Sequence, residues 1–596
     1  MTSITAKAGI QRSTIRVKLD MYTIKPQINE VFLKRENDWL YFTNPQRLIV
    51  AHTLSEVLPA LREIEDQVEK NGWHAAGFIS YEAAPAFDPA HTTKLVTGFP
   101  YLWFGLYPSP RLISKPKPDS VKPTLNWLPL TDRDTYNAAI EQIKSRIAEG
   151  QTYQVNYTML LQAEFHTDPW NFFLHITQGQ SDHAAYVDTG RYVIASASPE
   201  LFFRLEGDTI IGRPMKGTVR RGRTPLEDRE QAQWLRNSEK NRAENVMIVD
   251  MIRNDLGRIA KTGSVSVPEL FTIEKYPTLW QMTSTITAQT GASLGQIFTA
   301  LFPCASITGA PKVSTTKIIS ELEISPRKIY TGSIGYIEPN RKATFNVAIR
   351  TALINRESRS AEYGVGGGVI WDSTSIDEYA EALLKARVLT EETPRFSLLE
   401  TMLWTPEEGF FLREKHIERL LASADYFDFF VSKEKVEEKL NRTGSSFKFP
   451  QRIRLLAGQQ GDITIENKPF QAEDRPLRIC LANTPVNSND IFLFHKTTHR
   501  FVYETAKKFY PDCDDVLLFN ERGELTEFTI GNLVVEMDGN LFTPPVSCGL
   551  LPGTFRSHLL ETAQVEERTV QVGELQRCTK VFLVNSVRKW QRVEIR

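Results

Sequence analysis

Residues 213–218 read Arg-Pro-Met-Lys-Gly-Thr. Pro214 fixes its own φ, and Gly217 tolerates positive φ or a close backbone approach. Lys216, pinned between them, cannot sit inside a helix. A lysine so held and partly stripped of water loses its proton far more easily than a solvated one, which makes it a candidate amine nucleophile. Alone, the run reads as a turn with a solvated lysine. The surrounding chain gives it weight: Ser198-Pro199-Glu200, then ENVMIVDMIRND at 244–255 and ITGAPK at 307–312. Tyr336 closes GSIGY, Arg350 stands in FNVAIRTA, GVGGG covers 364–368, and DSTSIDEYAEALLK covers 372–385.

The chain has 596 residues, enough for several domains at the usual ~100–200 residues each. Its net charge of −1 argues against nucleic acid as a partner, and no apolar stretch approaches the ~20 residues of a membrane span. The N-terminal MTSITAKAGIQRSTIRVK lacks the apolar core of a secretory signal and is expected to be a short lead-in; a transit peptide fits its basic, acid-poor composition as well. Five cysteines, an odd number without CxxC spacing, argue against a disulfide framework or a zinc site and for a reducing cytoplasm.

The Pro- and Lys-rich stretch 109–122 reads as an exposed loop. Residues 133–150 form a helix by apolar spacing at 136, 139, 140, 143, 147 and 148, with Gly150 as its stop. A boundary falls at 391–395, where EETP separates a helix ending near Leu389 from a fresh start at Phe396. The expected domains are therefore 1–390, a linker at 391–395, and 396–596, the last long enough for its own core.

Ala243, Met247, Ile248, Met251 and Ile252 share one helical face, and Glu244 joins that stripe. An inward carboxylate must be paired with a basic neighbour or bound to a metal. Glu378 and Glu381 lie three apart on a second helix and share a face. One carboxylate from each helix is a sparse oxygen site, which suits Mg²⁺.

In order and spacing, these motifs resemble the chorismate-utilising enzymes: anthranilate synthase, isochorismate and salicylate synthases, and aminodeoxychorismate synthase component I. The resemblance covers about residues 30–390. It implies a two-sheet β-sandwich with outer helices, Mg²⁺ held by Glu244 and Glu381 against a substrate carboxylate, and Glu378 behind them. It implies that Arg350, Tyr336, Thr308, Gly309 and the loop with Gly366 and Gly367 bind chorismate. Glu200 matches the general acid that assists loss of the 4-hydroxyl. Gln154 stands where isochorismate and salicylate synthases carry a water-activating lysine, and glutamine cannot deprotonate water, which fits ammonia as the nucleophile. Within this family a lysine at the position of Lys216 marks aminodeoxychorismate synthase; anthranilate synthase typically carries alanine there. No glutaminase domain is visible, so ammonia is expected from a separate glutamine amidotransferase subunit or from solution.

Residues 396–596 resemble the fold-type IV pyridoxal-phosphate enzymes, a two-subdomain α/β fold. Lys496 in FHKTTHR matches the Schiff-base lysine, and Glu527 in LTEFTIGN the acid that pairs with the pyridinium nitrogen. Gly553 and Thr554, entering a helix, and Arg419 in KHIERL match the phosphate cup. The resemblance allows a homodimer through this domain. Asn585-Ser586-Val587-Arg588 resembles the last active-site strand.

Fold-type IV does not separate lyase from transaminase; the fusion partner does, because a lyase would consume aminodeoxychorismate. The expectation is thus a bifunctional folate-pathway enzyme that makes 4-amino-4-deoxychorismate and converts it to 4-aminobenzoate. The alternative is an aminodeoxychorismate or anthranilate synthase component I with an aminotransferase or a catalytically silent C-terminal domain.

Overall fold

The computed structural model describes residues 25–596 except 37, 115, 120, 121, 180, 391–393, 473 and 474. The N-terminal lead-in and the first linker residues lie outside the described residues. The chain divides into two compact units. One holds Met1–Lys216, Ala243–Leu270 and Thr283–Glu391; the other holds Gly217–Arg242, Phe271–Met282 and Glu392–Arg596. Two stretches of the chorismate-enzyme-like region thus group with the C-terminal residues.

The first unit is built on two ten-stranded sheets. One runs Gly309–Ala310, Gln154–Glu164, Ser360–Val369, Thr351–Asn355, Tyr192–Ser196, Ala185–Asp188, Val31–Arg35, Asp38–Phe42, Arg111–Ile113. The last of these strands pairs with Trp39–Tyr41, so the stretch expected as an exposed loop carries a short sheet edge. The other sheet runs from Thr209–Arg213 through Leu201–Glu206, Lys342–Asn346, Ser333–Glu338, His74–Ile79 and Leu102–Tyr107 to Arg47–Ala51. Strands Met215–Arg220 and Leu279–Gln289 extend this sheet, and each has residues in both units.

Successive strand residues point to opposite faces, so each sheet has an inner and an outer apolar face. The inner faces meet in a core of Val31, Leu33, Phe42, Phe78, Trp103, Ile194 and Ile334. The outer face of the first sheet is covered by Arg133–Ala148, Pro169–Ile176, Lys312–Leu322 and Ser375–Ala386. That of the second is covered by Leu54–Asn71, Glu239–Gly257 and Leu294–Leu301. The result is a β-sandwich with outer helices. Helix Arg133–Ala148 buries Tyr136, Ala139, Ile140 and Ile143; Asp132 caps it by accepting from the Thr135 N–H at 2.8 Å, and Gly150 leaves it at φ 74°.

The second unit contains two sheets. A four-stranded one (Gly409–Phe410, Leu398–Thr405, Gln451–Ala457, Ile463–Pro469) packs against helices Arg413–Phe427 and Lys433–Gly444. The other has eight strands, and the strand Leu525–Phe528 pairs both with Asp515–Phe519 and with Asn532–Met537. That double pairing closes six strands into a barrel filled by Ile479, Leu517, Leu533, Val535 and Leu583. Cys480 and Cys513, on and beside two barrel strands, form a disulfide with Cα atoms 6.0 Å apart. Cysteine spacing gave no sign of this one pairing, because strands brought side by side pair residues that no local motif links. Among the described residues no helix is long and apolar enough to cross a membrane.

Candidate active sites

The first site grows from the sheet end where Gln154–Glu164 and Ser360–Val369 lie side by side, down to Val369 opposite Val155. The neighbouring strand Thr351–Asn355 follows only as far as Tyr363. The run 364–368 is therefore strand rather than a loop, and its far edge is not engaged by that ladder. Absence of side chains lets other groups close in. An ideal Cβ on Gly368 would lie 2.3 Å from Gln154 Nε2 and 3.2 Å from Lys216 Nζ. One on Gly367 would lie 2.8 Å from Glu378 Oε2 and 3.8 Å from Glu381 Oε1. Gly366 would meet the Tyr157 carbonyl oxygen at 2.1 Å.

Lys216 sits on strand Met215–Arg220, with Gly217 at φ 85°. Loss of water lowers the pKa of its amine, while Glu244 and Glu200 draw it back up. Gln154 beside it is 1% exposed, and neither its Nε2 nor its Oε1 has a hydrogen-bond partner among the described residues. A buried amide left so costs about 1–3 kcal/mol, which a polar ligand would recover. Glu200 is buried, and burial pushes its carboxyl up to about 7. Ser306 Oγ donates to Glu200 Oε1 at 2.6 Å and pulls the other way, as does Lys216. The amine is shifted down and the carboxyl up, the directions that a nucleophile and a general acid require.

Thr308 is fully buried; its Oγ1 donates to the Cys304 carbonyl at 2.8 Å, and its own carbonyl accepts from the Asn156 N–H at 2.9 Å. Gly309, at φ 136°, lies where a Cβ would strike the Gln154 carbonyl oxygen at 2.1 Å, so only glycine fits. Arg350 holds a left-handed φ of 49° in the connection before Thr351–Asn355, and it acts on the Tyr363 phenol. Lys312 and Asp255, from two of the motifs, form a buried ion pair at 2.9 Å.

Two expectations are corrected. Tyr336 faces the inner core, 4% exposed, with its ring 6.2 Å from Phe42. Strand alternation turns it into the sandwich rather than toward Lys216. Helix Glu239–Gly257 buries Asn245, Ile248, Val249, Ile252, Asp255 and Leu256, while Ala243 is exposed. Glu244 therefore flanks the buried stripe, half-buried, instead of lying within it. On helix Ser375–Ala386, Glu378 accepts from Ser373 Oγ at 2.7 Å and Glu381 pairs with Lys385 at 2.8 Å. Lys385 also donates to the Gly366 carbonyl at 2.8 Å. Among the described residues no three potential ligands converge as a metal cage. Glu244 and Glu381 both act on the Lys216 amine, and such a sparse pair of carboxylates is a donor set that fits Mg²⁺, which keeps its waters.

The second site surrounds Lys496, whose carbonyl accepts from the Leu399 N–H at 2.9 Å. Burial lowers its amine to about 8, and Arg419 and Arg500 add to that, against Glu400 and Glu527. Glu527 is buried and raised to about 7 by loss of water. It accepts from Tyr503 Oη at 2.8 Å, the Leu551 N–H at 3.0 Å and Asn532 Nδ2 at 3.1 Å. A carboxylate has about four acceptor positions, so one remains for a ring N–H. Arg419 is gripped by Glu400 at 2.9 and 2.6 Å and donates to the Pro552 carbonyl at 3.1 Å. Gly553 caps helix Thr554–Glu561 without a side-chain cap, and a Cβ there would strike Asn532 Oδ1 at 1.9 Å. Thr554 Oγ1 lies 2.5 Å from Ser586 Oγ and 3.2 Å from His416 Nε2. Lys496, an acid with one open acceptor position, and an uncapped helix start beside an arginine fit pyridoxal phosphate.

Sequence reading missed four supporting residues. Ser306 stands just before the quoted run 307–312, two residues before Thr308, and a serine has no signature as a partner of a distant acid. Glu400 is a lone glutamate in an apolar strand. Tyr503 and Asn532 acquire a role only when folding brings them to Glu527.

Residues 29–391 match the family described as chorismate binding enzyme, and residues 397–595 match amino-transferase class IV. Aminodeoxychorismate synthase component 1 of Salmonella typhimurium is 40% identical over 265 residues, which is 44% of this chain and 58% of that protein. Aminodeoxychorismate synthase of Streptomyces griseus is 33% identical over 367 residues, 61% of this chain and 46% of that protein. The chain thus spans about half the length of these curated relatives. Among solved structures, anthranilate synthase component I from Streptococcus pneumoniae superposes with a TM-score of 0.52 at 22% identity, covering 63% of this chain and 96% of that one, which shows the shared fold. With the family match covering more than half of its length, the chain belongs to the chorismate binding enzymes and carries an amino-transferase class IV segment behind that region.

Proposed function

We propose that this chain aminates chorismate to 4-amino-4-deoxychorismate and then eliminates pyruvate to give 4-aminobenzoate. The observation that carries the reading is the convergence of the Lys216 amine and the orphaned Gln154 amide over Gly368, with a Glu200 carboxyl raised to about 7 in the same site. Neutral Lys216 attacks C2, forming the Nζ–C2 bond. The double bond shifts, and the 4-hydroxyl leaves as water with the proton that Glu200 supplies. Ammonia then bonds to C4, the double bond returns, and Lys216 leaves C2. Glu244 and Glu381 would hold Mg²⁺, with Glu378 behind them, and the ion would neutralise a substrate carboxylate. Arg350 and the unladdered edge of the glycine run supply the cation and N–H donors that a dicarboxylate needs. The relatives' printed name, aminodeoxychorismate synthase, supports this reading. Ammonia comes from a separate glutamine amidotransferase subunit.

In the second site Lys496 is the amine that anchors the cofactor, and Arg419 with the N–H groups at Gly553 and Thr554 would hold its phosphate. Bound pyridoxal phosphate would supply the electron sink. Glu527 would accept from the ring nitrogen, whose positive charge would hold the carboxyl ionised. Lys496 Nζ, shifted to about 8, is suited to take the C4 proton of the substrate and so start pyruvate loss. The class IV match supports the cofactor, and a homodimer through this domain accords with it. Incubation with chorismate, ammonium, Mg²⁺ and pyridoxal phosphate should yield 4-aminobenzoate and pyruvate by chromatography. Anthranilate, or amino transfer to a keto acid, would overturn the reading.

A further inference from the structure

The second unit contains a buried ion pair contributed by the chorismate-enzyme region. Arg221, its side chain 3% exposed, donates to both oxygens of Asp228, each at 2.7 Å. Asp228 also accepts from the Gly222 N–H at 2.9 Å and from Trp280 Nε1 at 2.9 Å. Two further donors of the guanidinium go to the Tyr276 carbonyl at 2.9 Å and the Tyr426 carbonyl at 3.1 Å. Its plane lies 5.1 Å from the Trp280 ring and 4.3 Å from the Tyr426 ring. Tyr426 returns the contact, donating its hydroxyl to the Gly222 carbonyl at 2.7 Å. A charge this deep persists only where it is paired and hydrogen-bonded, so its partners are held to one geometry.

That geometry leads to the second site. The Tyr426 ring lies 4.3 Å from the His495 ring, and Phe427 covers another side of it at 4.8 Å. His495 Nδ1 and Ser423 Oγ are 3.0 Å apart, on the same helix turn as Tyr426. Arg223 adds a second brace, donating to the Ser488 carbonyl at 3.3 Å and stacking on Phe494 at 5.3 Å. His495 and Phe494 immediately precede Lys496. Nothing in the chemistry assigned to either site uses Arg221, Asp228 or Tyr426.

We propose that Arg221 is a positioning residue for Lys496: through the Tyr426 ring it fixes His495, and with it the direction of the lysine amine. The C-terminal segment then depends for its active-site geometry on residues from the chorismate-enzyme region, and Arg221 stands five residues beyond Lys216 on the same stretch of chain. The inference rests on the reading of Lys496 as the cofactor lysine.

The test uses the full-length protein reconstituted with pyridoxal phosphate. The readouts are the visible absorption band of the bound cofactor, its circular dichroism sign and intensity, and the cofactor concentration at half-saturation. Arg221→Ala should weaken cofactor binding at least tenfold and alter the visible circular dichroism. Tyr426→Leu should do the same, whereas Tyr426→Phe, which keeps the ring, should stay within twofold of wild type. Far-UV spectra and melting curves identify a variant that fails to fold. If Arg221→Ala fails to fold, the contrast between Tyr426→Leu and Tyr426→Phe decides. Folded variants with wild-type affinity and visible circular dichroism overturn the positioning role. A wild-type protein that forms no visible band with the cofactor overturns the Lys496 reading itself, so the two failures are distinct.

Discussion

Replacing Ser306 with alanine should move the pH window of the first reaction in a direction the structure specifies. Burial holds the Glu200 carboxyl near 7, and the 2.6 Å hydrogen bond from Ser306 Oγ works against burial by stabilising the ionised form. A hydrogen bond to a charged group is worth about 1.5–3 kcal/mol. At 1.36 kcal/mol per pK unit, its loss should raise the Glu200 pKa by about one to two units, to roughly 8–9. Glu200 donates only while protonated, so raising its pKa extends activity toward alkaline pH. The alkaline limb of the profile should therefore move up in Ser306→Ala, although the hydrogen-bonding group has been deleted. The cleanest assay is a single turnover without ammonia, following chorismate loss and the mass of the Lys216 adduct across pH. Glu200 and Lys216 interact, so the limbs report the pair. An alkaline limb that stayed in place or moved down would refute Glu200 as the donor or Ser306 as its partner.

Lys216→Ala should lower amination on the order of a thousandfold or more, while supplied aminodeoxychorismate still gives 4-aminobenzoate; full amination in that variant would exclude covalent catalysis, and anthranilate as product would show that the lysine sets the outcome. Glu244→Gln and Glu381→Gln should each abolish the Mg²⁺ dependence of the first reaction along with most of its rate, because either carboxylate alone leaves the ion under-ligated; undiminished turnover in excess chelator would rule the ion out. Borohydride should label Lys496 alone, and Lys496→Ala should accumulate aminodeoxychorismate from chorismate and ammonium; normal 4-aminobenzoate release from that variant would disprove the lyase assignment.

Residues that carry chemistry were the legible part of this chain. Lys216, Gln154, Gly366 and Gly367 could be picked out through their places in an ordered set of motifs, although the lysine run by itself reads as a solvated turn. Their convergence was not legible, since it depends on the register that sets Gly368 opposite Asn156. Tyr336 shows the opposite failure. A phenol inside a motif suggests a donor, but the alternation of Ser333–Glu338 decides which way it points. Glu244 was displaced by one step around its helix because Asn245 and Asp255, polar residues, occupy the buried face. Apolar periodicity cannot foresee a polar residue that folds inward to meet a partner, as Asn245 does by accepting from Ser284 Oγ at 2.6 Å. The grouping of Gly217–Arg242 with the C-terminal residues was hidden for the same reason, since Arg221 and Asp228 look like surface charges until Tyr426 covers them.

The end of strand Ser360–Val369 is a partition one backbone thick. Consecutive residues in a strand point to opposite sides. Position 367 looks toward Glu378 and Glu381, and position 368 toward Gln154 and Lys216. A single methyl group therefore has two different meanings a residue apart. At 367 it meets Glu378 Oε2 at 2.8 Å, the far end of a flexible side chain. At 368 it meets Gln154 Nε2 at 2.3 Å and comes within 3.2 Å of Lys216 Nζ, so the displacement falls beside the nucleophile. Adjacent letters of the sequence thus act as separate controls, one on the carboxylates and one on the amine, and neither control exists while both positions are glycine.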